Sequence, residues 1–321
     1  MKKKFGRKLA GSCWLLATMA TITACGGGGS ASLGVVTQIL VTDLINRNLV
    51  GIDNMAGDGY VAYGTVGNGV GQFMVPDGVY VDSQNRIYVA DRSNHRIVRI
   101  DDISGANWLS HGSNGSGVNQ FTSPRDVHLD TLGRIYIADG GNGRIVRMDN
   151  MTGSGWVSFG NFGTGAGQFS GAYDLDLDSQ GRIYVVDLNA HRIVRINDIS
   201  GNGWVTFGTQ GSAAGQLELT GGIDLVEHFS IYVTVQGNAR LVRIDNMSGA
   251  GWVSFGSAGS GVNQFDSVGK VAIDSNTGQI YLTDTINGRV VRINNMSGAG
   301  WTTYGTAGIT FGIPLGIALR R

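Results

Sequence analysis

A repeat of about 48 residues limits most strictly what this chain can become. The strand-like segments Leu40-Val-Thr-Asp43, Tyr88-Val-Ala-Asp91, Tyr136-Ile-Ala-Asp139, Tyr184-Val-Val-Asp187, Tyr232-Val-Thr-Val235 and Tyr281-Leu-Thr-Asp284 follow one another at spacings of 48, 48, 48, 48 and 49. Shortly after each comes a second such segment: Asn48-Leu-Val-Gly51, Arg96-Ile-Val-Arg99, Arg144-Ile-Val-Arg147, Arg192-Ile-Val-Arg195, Arg240-Leu-Val-Arg243 and Arg289-Val-Val-Arg292. An Asx- and Gly-rich turn then leads to an aromatic that opens a third, at Tyr60, Trp108, Trp156, Trp204, Trp252 and Trp301. A fourth precedes each Tyr-Asp segment, as in Val79-Tyr-Val-Asp82 and Val127-His-Leu-Asp130. The apolar residues alternate with a period of two and no helical period occurs, so these are strands. The 53 glycines against 3 prolines supply their tight turns. Four short strands in each of six repeats predict an all-β fold, a six-bladed β-propeller of four-stranded blades.

The chain ends indicate how the ring closes. The N-terminal repeat lacks its innermost strand, while Pro314-Leu-Gly-Ile-Ala-Leu-Arg320, which matches Pro76-Asp-Gly-Val-Tyr-Val-Asp82, stands alone at the C-terminus. Pairing this strand with residues 37–64 completes the first blade and removes the exposed sheet edges that would template aggregation.

The residues before the repeats read as an address. Lys2, Lys3, Lys4, Arg7 and Lys8 precede a mostly apolar run from Leu9 to Ile22, too short to span a bilayer comfortably and typical of an export signal. Ile22-Thr23-Ala24-Cys25-Gly26 resembles a bacterial lipoprotein cleavage box, which implies lipidation of Cys25 and membrane attachment through the N-terminal lipid. Gly26 is not the Asp that tends to retain such proteins at the inner membrane, so outer-membrane placement is favoured where there is one. The expected organisation is a signal peptide over 1–24, a lipidated Cys with a Gly/Ser tether over 25–36, and the propeller over 37–321. Cleavage removes 5 of the 24 Lys and Arg and none of the 24 acids, so the mature net charge is 19 − 24, or −5. That balance disfavours nucleic acid as a partner. Two cysteines build no disulfide framework.

At Tyr-Val-Ala-Asp-Arg-Ser-Asn-His-Arg-Ile-Val-Arg, residues 88–99, the repeat resembles the NHL repeat, and the resemblance extends over residues 37–320. It departs from that pattern at Val235 in place of Asp, at Asn48 in place of Arg, and at Val226-Glu-His-Phe229, where other repeats have an Asp-initiated turn. The resemblance implies a recognition scaffold more often than a catalyst. The expected function is a membrane-anchored, extracytoplasmic scaffold for a protein, peptide or glycan. The alternative is a hydrolase or lyase that depends on a channel metal, of the lactonase or amidating-lyase propeller type.

Residues that recur in every repeat build blades, so function belongs where the repeats differ. Along the inner strand the alternate positions read Gly78, Asp126, Asp174, Gly222, Lys270, Gly316 and then Tyr80, His128, Asp176, Asp224, Ala272, Ala318. In a propeller these face the central channel. Lys270 is the sole lysine left after cleavage, in a chain whose other 18 basic residues are arginines. Arg125, Asp126, His128, Tyr173, Asp174 and Lys270 are therefore the candidate ligand-binding set. Asp174, Asp176 and Asp224 are candidate oxygen ligands for a channel cation such as Ca2+. Arg47, Arg92, His95, Asn189 and His191 are expected at the rim beside Arg125 and Tyr173, and Asp91, Asp139, Asp187 and Asp284 to pair with the Arg five residues on.

Overall fold

The computed structural model describes residues 35–226, 230–305 and 310–321. The signal segment, Cys25 and most of the expected tether lie outside the described residues, as does part of the Val226-Glu-His-Phe229 turn. Six four-stranded antiparallel sheets form the predicted propeller. The inner strands are Pro76–Val81, Pro124–Leu129, Ala172–Leu177, Thr220–Val226, Val268–Ile273 and Pro314–Arg320. Blade 1 closes as expected: Gln38–Asp43 pairs antiparallel with Pro314–Arg320, with Val41 opposite Ile317 and Ile39 opposite Leu319. Blades 2 to 6 follow in chain order.

Each sheet is covered on both sides, and this explains the apolar density of the second strands. Ile87–Asp91, Ile135–Asp139, Ile183–Asp187 and Ile280–Asp284 are buried at every position. Alternating side chains serve opposite neighbours. Tyr136 and Ala138 pack with Phe169, Leu175 and Ile183 of the next blade, whereas Ile135 and Ile137 pack with Tyr88, Ala90 and Phe121 behind them. The core is thus six interblade layers, and no blade can bury its faces alone.

One recurring element falls outside the four-strand pattern. Thr65–Val66, Asn161–Phe162 and Ser257–Ala258 pair in parallel with Gln72–Phe73, Gln168–Phe169 and Gln264–Phe265 in the connections between blades. These short ribbons carry Phe73, Phe169 and Phe265, and a single bridge carries Phe121; these rings and Phe311 are fully buried between blades. Each is worth about 1.5–3 kcal/mol by area removed from water. Trp108, Trp156, Trp204 and Trp301 lie 5.3 to 5.4 Å from four of these rings, so the Trp row is packing.

The expected Asp–Arg pairs form, in a deeper setting than a hairpin surface. Asp139 is fully buried; its Oδ1 accepts the Thr122 N–H, and its Oδ2 accepts from Asn142 and from Arg144 Nε at 2.8 Å. The remaining Arg144 N–H groups donate to the carbonyls of Ser116, Gly117 and Gln120 in the connection from the previous blade. The same lattice recurs around Asp91, Asp187 and Asp284. It fastens each blade to the loop before it. Blades 1 and 5 keep four strands despite their departures, and they carry the cost locally. Without an Asp at 235, Arg240 Nε is buried with no acceptor; Asn238 Oδ1 in the same blade and Asn48 Oδ1 in blade 1 are also buried without a partner.

Candidate functional site

The inner strands bring the candidate channel residues to the axis, and their backbone explains how. Each inner strand breaks register with its neighbour near its start, as between Pro124 and Asp126, Ala172 and Asp174, and Val268 and Val271. Such bulges bend a strand and free an N–H from the ladder. In blades 1, 5 and 6 a threonine on the second strand repairs the break. The Thr42, Thr234 and Thr283 hydroxyls accept the N–H of Gly316, Gly222 and Lys270 and donate to the carbonyls of Asp77, Gly269 and Leu315 in the following blade. Blades 2 to 4 have Ala90, Ala138 and Val186 in that place. There the carboxylates act across the blade boundary: Asp126 accepts the Leu175 N–H and Asp174 the Ile223 N–H. One turn lower, Asp176 accepts the Leu225 N–H and Asp224 the Ile273 N–H, both at 2.7 Å.

Lys270 reaches across the channel from blade 6 to blades 3 and 4. Its Nζ lies 2.5 Å from Asp126 Oδ1 and 2.6 Å from Asp174 Oδ1, and all three residues are at most 5% exposed. Burial opposes the ammonium charge, but the carboxylates of Asp126, Asp174 and Asp77 outweigh it and hold Lys270 above the ordinary lysine pKa. Burial, reinforced by the negative Asp174, raises Asp126 well above the usual carboxylate range. Gly78 and Gly222 are needed at this level. A Cβ on Gly78 would lie 2.1 Å from Asp126 Oδ1, and one on Gly222 2.7 Å from the Lys270 Cα. The result is a buried polar layer that divides the channel.

Below it, toward the face that carries the turns between inner and second strands, a cavity of about 240 Å³ is bounded by Asp126, Asp174 and Lys270 of the layer and lined further by Tyr80, His128, Asp176, Asp224 and Arg321. His128 Nε2 lies 2.8 Å from Asp176 Oδ1 and its ring is 4.1 Å from that of Tyr80. Burial, then the Asp176 charge, raises Asp224 well above the usual range. The candidate calcium ligands are thus on two levels. Asp174 faces Lys270 above, and Asp176 and Asp224 lie below; Asp174 and Asp224 each give one oxygen to a strand N–H, and Asp176 gives both, to Leu177 and Leu225. Among the described residues no group of three or more His, Cys, Asp or Glu stands where it would hold a metal ion.

Above the layer lies the hairpin face, where the second and third strands join. Arg125 and Arg92 each give one N–H to Asp77 Oδ2, at 3.2 and 3.3 Å, and Arg125 stacks over Tyr173 at 5.1 Å. Asp77 is absent from the sequence-derived set; its position, the inner-strand residue matching Arg125 and Tyr173, was the available signal. The other rim residues are tied to backbone. His95 and His191 accept the N–H of Ser123 and Leu219, Asn189 donates to Ser170, and Arg47 donates to Met74. The candidate ligand set is therefore divided: Arg125 and Tyr173 above, Asp126, Asp174 and Lys270 within, His128 below.

Six such blades around one axis, closed by a strand from each chain end, define a six-bladed β-propeller. The NHL repeat family model matches residues 73–100, which run from Phe73 through the third strand of blade 2. No curated protein matches the sequence. A chain of the nidogen/laminin complex aligns over 88% of this chain and 98% of its own, at 16% identity and a TM-score of 0.65. A protein of unknown function from Bacteroides caccae aligns over 89% and 100%, at 16% identity and 0.64. Catalytically inactive virginiamycin B lyase from Staphylococcus aureus, solved with quinupristin, aligns over 86% and 85%, at 14% identity and 0.54. At these identities the likeness is one of fold.

Proposed function

We propose that the protein is an exported, lipid-anchored scaffold that recognises a protein or peptide partner at the hairpin face of its propeller. The observation that carries this reading is the Lys270 layer. The charged groups at the heart of the channel are consumed by one another and by strand N–H groups, so they serve as a strut between blades 3, 4 and 6. What remains for recognition is the surface where blades differ, on a rigid scaffold of loops. The leader sequence supports export and the Cys25 box supports anchoring.

Photo-crosslinking in the producing cell tests this, with the reactive residue placed at the exposed Ser93 on the hairpin face or at Leu132 on the opposite face, alongside Cys25→Ser. The reading expects protein adducts from position 93, none from 132, and release of the Cys25→Ser protein from membranes. Adducts from neither face, or membrane retention without Cys25, would sink it.

A further inference from the structure

Two arginines on the hairpin face differ from the arginines that stand five residues after each second-strand Asp. Arg96, Arg144, Arg192 and Arg289 spend Nε on a carboxylate and both terminal nitrogens on carbonyls, so their forks are full. Arg92 and Arg125 each spend one N–H, both on the same oxygen of Asp77. Neither recurs around the ring: the positions matching Arg92 are Leu44, Gly140, Leu188, Gln236 and Thr285, and those matching Arg125 are Asp77, Tyr173, Gly221, Gly269 and Leu315. Blade construction therefore does not require them.

Their surroundings favour an incoming anion. Two guanidiniums face one carboxylate, leaving an excess positive charge. Burial, and then the neighbouring Arg125 and Arg47 charges working against Asp77, lower the Arg92 pKa from its ordinary value. Asp77 is fully buried, and its second oxygen, Oδ1, has no partner. The Arg125 plane is fixed on Tyr173, so its free N–H edge needs little ordering to receive a ligand. Both side chains keep about a quarter of their surface open, 24% and 29%. The way they hold Asp77 already shows which group suits them.

We propose that Arg92 and Arg125, positioned by Asp77 and Tyr173, form a receptor for a carboxylate of the partner, an acidic side chain or chain terminus of a peptide. This rests on the hairpin face being the recognition surface. The paired forks would accept a planar two-oxygen group through charge-assisted bonds.

The test is fluorescence anisotropy of the full-length protein with a labelled hexa-glutamate peptide, its hexa-glutamine counterpart, and inorganic phosphate as competitor. Hexa-glutamate should bind in a salt-sensitive way and hexa-glutamine should not. Arg92→Gln/Arg125→Gln should weaken binding at least about tenfold, while Arg134→Gln/Arg182→Gln on the opposite face leaves it unchanged. Asp77→Asn removes the internal competitor and should tighten binding several-fold, which a merely structural role would not do; it serves also if the double variant fails to fold. Equal binding of both peptides, equal loss in the opposite-face variant, or no gain in Asp77→Asn overturns the assignment. Displacement by phosphate as effective as by acetylated glutamate overturns the carboxylate class. If position 93 crosslinks while the peptide is inert, the carboxylate receptor falls and the scaffold reading stands; if both fail, both fall.

Discussion

Arg240 and Arg144 occupy the same place in different blades, and the contrast isolates what one carboxylate contributes. Arg144 closes on Asp139, whereas Arg240 has Val235 in that position and a buried Nε with no acceptor. Removing a partner from a buried pair strands the other charge, so Asp139→Ala should cost about 3–5 kcal/mol in urea denaturation. Val235→Asp should supply the missing acceptor and raise Tm; a fall in Tm would show that the blade 5 site cannot take the charge. Asp224 gives a test in pH. Its folded pKa is raised, so the folded state binds the proton more readily than the unfolded chain, and stability is lost as pH rises from the ordinary aspartate value upward. Asn at this position keeps an oxygen for the Ile273 N–H and removes the titration. The Tm gain of Asp224→Asn should therefore be larger near about pH 7.5 than near about pH 4.5, and an equal gain at both would rule the account out.

At the scale of elements, the inner strands depend on how their bulges are sealed. Three are sealed by threonine hydroxyls, and Asp126 and Asp174 hold neighbouring strands while Lys270 braces them from the far side of the channel. Lys270→Met leaves two buried carboxyls without their cation and should cost about 3–5 kcal/mol. The triple variant with Asp126→Asn and Asp174→Asn should recover much of that loss, because the uncompensated charges go with the lysine. A triple variant no more stable than Lys270→Met would mean that Lys270 acts through packing alone. Thr42, Thr234 and Thr283 were readable as a departure from Ala90, Ala138 and Val186. Their purpose was not, because a bulge is a register event between strands and leaves no mark in the alternation of either.

For the whole molecule, closure is the cooperative event. The strand Pro314–Arg320 supplies the inner edge of blade 1 and packs against blades 2 and 6 through Ile317 and Ala318. Deleting residues 314–321 should open two interblade layers at once and yield a protein that aggregates or melts far below the intact chain. A truncated chain with an unchanged Tm would show that the ring holds without its closing strand. Because a lysine fills the space between Asp126 and Asp174, melting in calcium and in EDTA should coincide; a calcium-dependent rise in Tm abolished by Asp176→Asn/Asp224→Asn would place a cation in the lower cavity.

Sequence alone determined the six blades, their four strands and the seam between the chain ends, because a 48-residue period with alternation of two has few closed solutions. It also placed Asp126, Asp174 and Lys270 on one row, since inner-strand alternation reports which side of a strand faces the axis. Only tertiary structure decided that Lys270 crosses that axis to meet both carboxylates, that His128 lies beneath them with Asp176, and that Arg92 and Arg125 converge on Asp77. The Lys270 contacts join blades as far as 144 residues apart in the chain, and His128–Asp176 and Arg125–Asp77 join neighbouring blades. Their geometry is set by the curvature of the closed ring, a property of all six blades together that no single repeat encodes.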